Sequence, residues 1–154
     1  MKTLLILGAG LSSSSLIRYV LKQAEQFNWS VRITDQNLEI VHAKINGHPN
    51  GVALNFNALD ASQRRPEIEK ADLVISMLPA RFHIDVAKDC IDLKTNLITP
   101  SYISKEMKAL DKDAKNAGIV IYDMSGKKMD SFKLNQENGT YEFRAAYPAG
   151  TYLV

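Results

Sequence analysis

The chain has 154 residues, 45% of them hydrophobic, with a formal net charge of +2 and a single cysteine. That length suits one compact domain with at most a small appendage, and the apolar content suffices for a core. The near-balanced charge gives no case for nucleic acid, one cysteine excludes an internal disulfide framework, and no apolar run approaches the length of a membrane span. The run Thr3–Leu7 is too short for the core of a signal peptide, so a cytoplasmic protein is expected.

Thr3–Leu7 is β-prone, Gly8-Ala9-Gly10 lets the backbone turn sharply, and Leu11 to Phe27 reads as a helix. A strand, a glycine turn and a helix together aim free N–H groups and the positive end of a helix dipole at one point, where a diphosphate can approach. The spacing G-x-G-x-x-G places a third glycine at position 13, where this chain has Ser13. Serine is small enough to keep the helix near the strand, and Ser12 or Ser13 could offer a hydroxyl to phosphate. An ordinary tight strand–helix turn is the competing reading. Leu16, Val20, Ala24 and Phe27, with Ile17 and Leu21 beside them, are predicted to face a sheet.

Val31–Asp35 is a second strand ending in an acid, 25 positions beyond Gly10. This is close to the interval of roughly 20 residues at which a dinucleotide-binding unit presents a carboxylate to the adenosine ribose. A carboxylate there accepts from two ribose hydroxyls and repels a 2′-phosphate, which favours NAD over NADP; capping of the next helix through Asp35-Gln36-Asn37 is the alternative. Leu38–Asn46 reads as a short helix and Val52–Phe56 as a third strand. After it, Asn57 is the candidate to face the adenine and Asn55 the second, with a solvated turn the alternative for either.

Asp60 is expected to cap a charged helix, Ser62–Lys70, and Leu73–Leu78 is a nearly continuous apolar strand, as in the middle of a parallel sheet. Ligands of open α/β sheets sit outside the carboxyl ends of the strands, so the segment Ser76–His83 should border a nicotinamide. Pro79 suits the first turn of the next helix, Arg81–Leu93, whose stripe is Ile84, Ala87 and Ile91. Cys90 falls beside that stripe as a small core residue. His83, in the first turn, is the candidate for catalysis, against a structural role. His42 and His48 read as surface residues, and no pair of histidines has metal-ligand spacing, so no metal is expected. Asn96–Thr99 is a fifth strand, Ser104 caps a helix with Met107, Leu110, Ala114 and Ala117 buried and Gly118 as its stop, and Ile119–Asp123 is a sixth strand. The fold class is α/β: a doubly wound, mostly parallel sheet with right-handed crossovers.

The stretches LLILGAGLSSSSLIRYV, ADLVISMLPARFHIDVAKDCI and TPSYISKEMKALDKDAKNAGI resemble the N-terminal nucleotide-binding Rossmann domain of the saccharopine dehydrogenase family, in its glutamate-forming branch. The resemblance covers about residues 2–120. It implies reversible, NAD(P)-dependent oxidation at the secondary-amine carbon of a lysine-derived amino acid such as saccharopine, in a cytoplasmic and usually dimeric enzyme. It also implies Gly8, Gly10, Leu11 and Ser12 as the phosphate loop, Asp35 as the ribose ligand, Ser76, Leu78 and Pro79 under the cofactor, and Ser101 and Tyr102 near the nicotinamide.

Beyond the sixth strand the chain departs from the family, which continues with NEIG-x-DPGIDH and a long substrate domain. Residues 122–154 read instead as a β-rich extension, a meander of three or four antiparallel strands, following a dinucleotide-binding domain over 1–121. IVIYDMSGKKMDSF and YPAGTYLV resemble the C-terminal sorting module of type IX export; a shortened remnant of a substrate-domain sheet, or an edge extension of the main one, is the alternative. Three functions are open at this point. One is an oxidoreductase, one a module that holds NAD without chemistry, because no acid or base is assignable and arginines for a dicarboxylic amino acid are lacking. The third is an exported protein.

Overall fold

The computed structural model describes residues 1–122. The expected antiparallel extension over 122–154 and its likeness to a sorting module lie, from residue 123 on, outside the described residues, and Tyr122 itself belongs to a parallel strand. Six strands form one sheet: β1 (Lys2–Leu7), β2 (Trp29–Thr34), β3 (Gly51–Leu54), β4 (Leu73–Ser76), β5 (Asn96–Ile98) and β6 (Ile121–Tyr122), in the order β3-β2-β1-β4-β5-β6. Every pairing is parallel, with Leu4 opposite Val31 on one side of β1 and opposite Leu73 on the other. The order reverses between β1 and β4, and such a switch point leaves a crevice beyond the strand ends.

Period-two alternation in the central strands sorts their side chains into two cores. Leu5 and Leu7 of β1 and Val74 of β4 meet Ile68, Val86, Cys90 and Ala114 on one face. Leu4 and Ile6 of β1 and Ile75 of β4 meet Ile17, Val20, Leu21 and Val41 on the other. The helices that supply these faces are α1 (Ser14–Phe27), α2 (Leu38–Ile45), α3 (Ala61–Glu69), α4 (His83–Asp92), α5 (Lys105–Ala109) and α6 (Asp111–Ala117). Among the described residues, no helix is long and apolar enough to cross a membrane.

Several local expectations are corrected. A 3-10 turn over Leu11–Ser13 precedes α1, because the chain must tighten as it leaves Gly10. Phe27 is not in the core: it lies in the last turn, 51% exposed, and stacks on Trp29 with ring centroids 5.0 Å apart. Asn37, not Asp35, caps α2, its side chain accepting from the N–H groups of Glu39 and Ile40. The helix expected from Ser104 onwards is two helices, since Leu110 N–H closes a tight bond to Met107 O and the acids Asp111 and Asp113 open a new first turn. Pro79 precedes a separate 3-10 turn, Ala80–Phe82, rather than entering α4.

Candidate functional site

The crevice is bounded by the turn after β1 and the loop after β4. Gly8 has φ +101°, and a Cβ there would stand 3.3 Å from the Met77 carbonyl carbon and oxygen, so the ends of β1 and β4 can approach only around a glycine. Its N–H donates to Thr34 O at 2.9 Å, and Met77 N–H donates to Leu7 O at 2.8 Å, which ties β2, β1 and β4 together at the lip. Gly10 is different. Its backbone, φ −61° and ψ 178°, suits any residue, but a Cβ there would meet no atom within 4 Å, so the glycine keeps space open in front of the turn.

The peptide that follows Gly10 is held from behind. Gly10 O accepts from Ser13 N–H at 3.1 Å, from the Ser13 hydroxyl at 2.8 Å, and from Lys44 Nζ. A trans peptide sets its N–H opposite its C=O, so drawing this carbonyl inward turns Leu11 N–H outward. The N–H groups of Gly10, Leu11 and Ser12 have no partner among the described residues, as the first donors of a helix lack intrahelical acceptors. Orphan amides beside an open space fit a diphosphate.

Asp35, at the end of β2, accepts Ala9 N–H at 2.8 Å through one carboxylate oxygen and Asn37 N–H at 3.1 Å through the other. The acid therefore latches the glycine turn to its neighbouring strand. Each oxygen retains a second lone pair for a further donor. Asn57 accepts from Leu59 N–H at 3.0 Å and from the Gln36 side chain at 3.3 Å, which joins the loops after β2 and β3 beside Asp35. Asn55 is exposed.

Of the two serines expected to reach phosphate, Ser12 is exposed, whereas Ser13 is fully buried and its hydroxyl is committed to Gly10 O. Ser13 is thus a brace of the loop. On the β4 side Ser76 is fully buried, Leu78 is half-buried and Pro79 exposed. Beyond them a cavity of about 410 Å³ opens between the start of α4, the end of β5 and α5, with Arg81, His83, Ser101, Tyr102 and Glu106 in its walls. Tyr102 is 81% exposed. His83, by contrast, is 2% exposed, and burial lowers its pKa from the ordinary value. Both of its ring nitrogens are in hydrogen-bond contact with serine hydroxyls. His42 is exposed; His48 is half-buried, its Nδ1 accepting Asn50 N–H at 3.2 Å. Cys90 lies in the core with its thiol pushed up to about 12 by burial, as an inert residue should. Among the described residues no cluster of His, Cys, Asp and Glu could hold a metal ion.

Two features escaped sequence reasoning. Lys44, near the end of α2, crosses to the glycine turn, where partial burial lowers its pKa and the nearby Asp35 carboxylate opposes that shift. Arg64 is 4% exposed and forks onto Asp89, donating also to Ala58 O at 2.7 Å, so α3 and α4 are joined by a buried ion pair. A lysine or arginine on a polar helix carries no sequence signal that separates these contacts from a solvated side chain.

Comparison with known proteins gives a consistent result. Residues 4–122 match the family described as saccharopine dehydrogenase NADP binding domain. The chain is 34% identical over 121 residues to mitochondrial alpha-aminoadipic semialdehyde synthase of Mus musculus, covering 78% of this chain and 13% of that protein. It is 31% identical over 125 residues to the NADP(+), L-glutamate-forming saccharopine dehydrogenase of Pyricularia oryzae, covering 81% and 27%. The apo structure of the L-Glu-forming saccharopine dehydrogenase from Saccharomyces cerevisiae superposes with a TM-score of 0.72 at 27% identity, over 80% of this chain and 27% of that one. The chain thus spans roughly a quarter or less of the length of these relatives.

Proposed function

Since the chain belongs to the saccharopine dehydrogenase family through its NADP-binding domain, we propose that it holds the nicotinamide dinucleotide of a saccharopine dehydrogenase-like oxidoreductase. The observation that carries this reading is the set of N–H groups at Gly10, Leu11 and Ser12 without a partner among the described residues, on a turn braced by Ser13 and Lys44 and latched through Ala9 to Asp35. In this reading the diphosphate lies over Gly8–Ser12 and the adenosine ribose beside Asp35. The adenine is against Asn57, and the nicotinamide is beside Leu78, Pro79, Ser101 and Tyr102. Bound there, the dinucleotide supplies a two-electron acceptor for oxidation at the secondary-amine carbon of an amino acid such as saccharopine.

The chain's own part is to bind and orient. The amides neutralise the diphosphate, and the Gly8 turn brings β1 and β4 close enough to form one floor. Kinship favours NADP(H). The position of Asp35 supports a second reading, NAD(H), because a carboxylate at the ribose repels a 2′-phosphate. Placement in the cytoplasm, supported by the short apolar run at Thr3–Leu7, and a dimeric assembly, supported by the family resemblance, are part of the proposal. Parallel titrations with NADPH and NADH, read by fluorescence, test it: saturable binding of either supports the reading, the tighter one identifies the cofactor, and no binding of either refutes it. Adding saccharopine with the oxidised cofactor and following absorbance then separates an oxidoreductase from a module that holds the cofactor without chemistry.

A further inference from the structure

His83 is buried between two serine hydroxyls. Ser76 Oγ lies 2.9 Å from its Nδ1 and Ser101 Oγ 3.0 Å from its Nε2. Burial favours the neutral ring, which carries a single N–H, so one of the two contacts has the ring as donor and the other has it as acceptor. Ser76 decides which. Its hydroxyl is fully buried, and among the described residues His83 is its sole hydrogen-bond partner. Were Nδ1 protonated, Ser76 would accept and its own O–H would point into the core without an acceptor, a costly arrangement for a buried hydroxyl. With Ser76 donating to Nδ1 instead, the ring proton sits on Nε2 and is given to Ser101 Oγ. The Ser76 hydroxyl and the ring N–H are then both used.

Ser101 is half-buried and lines the 410 Å³ cavity. Because its oxygen accepts from His83, its own proton is turned away from the ring. We infer that His83 is a positioning residue, which with Ser76 behind it holds the Ser101 hydroxyl as a hydrogen-bond donor to a carbonyl oxygen of the ligand in this cavity. Among the described residues the charged side chains in the cavity walls are one of each sign, Arg81 and Glu106, and this balance favours a neutral acceptor over an anion. Resting on the dinucleotide reading above, the acceptor is the carboxamide carbonyl of the nicotinamide ring, since Ser101 follows β5, which pairs with β4 at the crevice.

Two measurements test this. Nitrogen-15 NMR of the imidazole should find His83 as the neutral tautomer protonated at Nε2; the Nδ1-protonated tautomer overturns the inference whatever the protein binds. Titrations of the parent, Ser101→Ala, His83→Leu and His83→Gln with NADPH and with 2′-phospho-ADP-ribose, which lacks the nicotinamide, provide the second. Ser101→Ala and His83→Leu should weaken NADPH roughly fivefold, one hydrogen bond's worth, and leave the fragment unchanged. His83→Gln, which keeps an N–H donor, should recover most of the loss. Equal weakening of both ligands, or none of either, overturns the inference while leaving dinucleotide binding intact. If the parent binds neither of these and NADH does not bind either, the dinucleotide reading falls and takes this one with it; if NADH alone binds, the same comparison is made with NADH and ADP-ribose. Ser101 is at the surface of the cavity, so its variant tests the idea even where His83→Leu fails to fold.

Discussion

Substituting alanine at the two glycines of the turn separates folding from binding. At position 8 an L residue must adopt φ +101°, and its Cβ meets the Met77 carbonyl at 3.3 Å. Backbone strain of this kind costs about 1–3 kcal/mol, and the crowding adds about 1–3 kcal/mol. The reduced freedom of the unfolded chain returns about 0.4–1 kcal/mol, which leaves a net destabilisation of about 1–6 kcal/mol for Gly8→Ala. At position 10 the backbone is ordinary and a Cβ meets nothing within 4 Å, so Gly10→Ala should be neutral or stabilising by about 0.4–1 kcal/mol. The methyl group then stands where the diphosphate must approach, and affinity for NADPH should fall at least about tenfold, or about 1.4 kcal/mol. Urea unfolding and NADPH fluorescence titration read the two effects separately. Equal destabilisation by both substitutions, or a Gly10→Ala protein that binds like the parent, would refute the reasoning.

Three further outcomes are expected. Asp35→Ala should weaken NADH by more than about 1 kcal/mol in the same titration, through loss of the charged acceptor and release of Ala9 N–H; an unchanged dissociation constant would remove Asp35 from the site. Asp89→Ala leaves the 4%-exposed Arg64 without its counter-ion and should cost about 3–5 kcal/mol in urea unfolding, whereas a loss under about 1 kcal/mol would mean the pair is wetter than described. His83 has a folded pKa below its unfolded one, so the unfolded state binds more protons as the pH drops. Its contribution is therefore present above about pH 6.5 and is lost as pH falls toward the lower folded pKa. Stability should decline between pH 7 and pH 5 more steeply in the parent than in His83→Gln, and identical slopes would count against the buried neutral ring.

The order of elements and the switch point were legible because they rest on strong, local signals: an apolar strand into a glycine turn, an acid closing the second strand, and a strand at Leu73 apolar on both faces. Of the residues picked out around the turn, Gly8 and Gly10 act through the main chain, and Asp35 through a carboxylate that accepts main-chain N–H groups. What was not legible depends on side chains meeting across the sheet order. Lys44 is 34 residues from Gly10, Arg64 is 25 from Asp89, and His83 is 18 from Ser101. Nothing in a helical period distinguishes a long cation that reaches a carbonyl from one that reaches water. Ser13 illustrates the same limit on a smaller scale: its size predicted close helix packing, but the direction of its hydroxyl was set by the Gly10 carbonyl behind it.

The amides at Gly10, Leu11 and Ser12 are the proposed receptor of a diphosphate. Backbone amide NMR of the nitrogen-15-labelled protein during titration with NADPH observes them one by one. The prediction is that these three signals shift together and saturate with the affinity found by fluorescence, with Asp35 and its neighbours following. Saturable NADPH binding that leaves all three in place, and moves signals elsewhere on the domain, would contradict it.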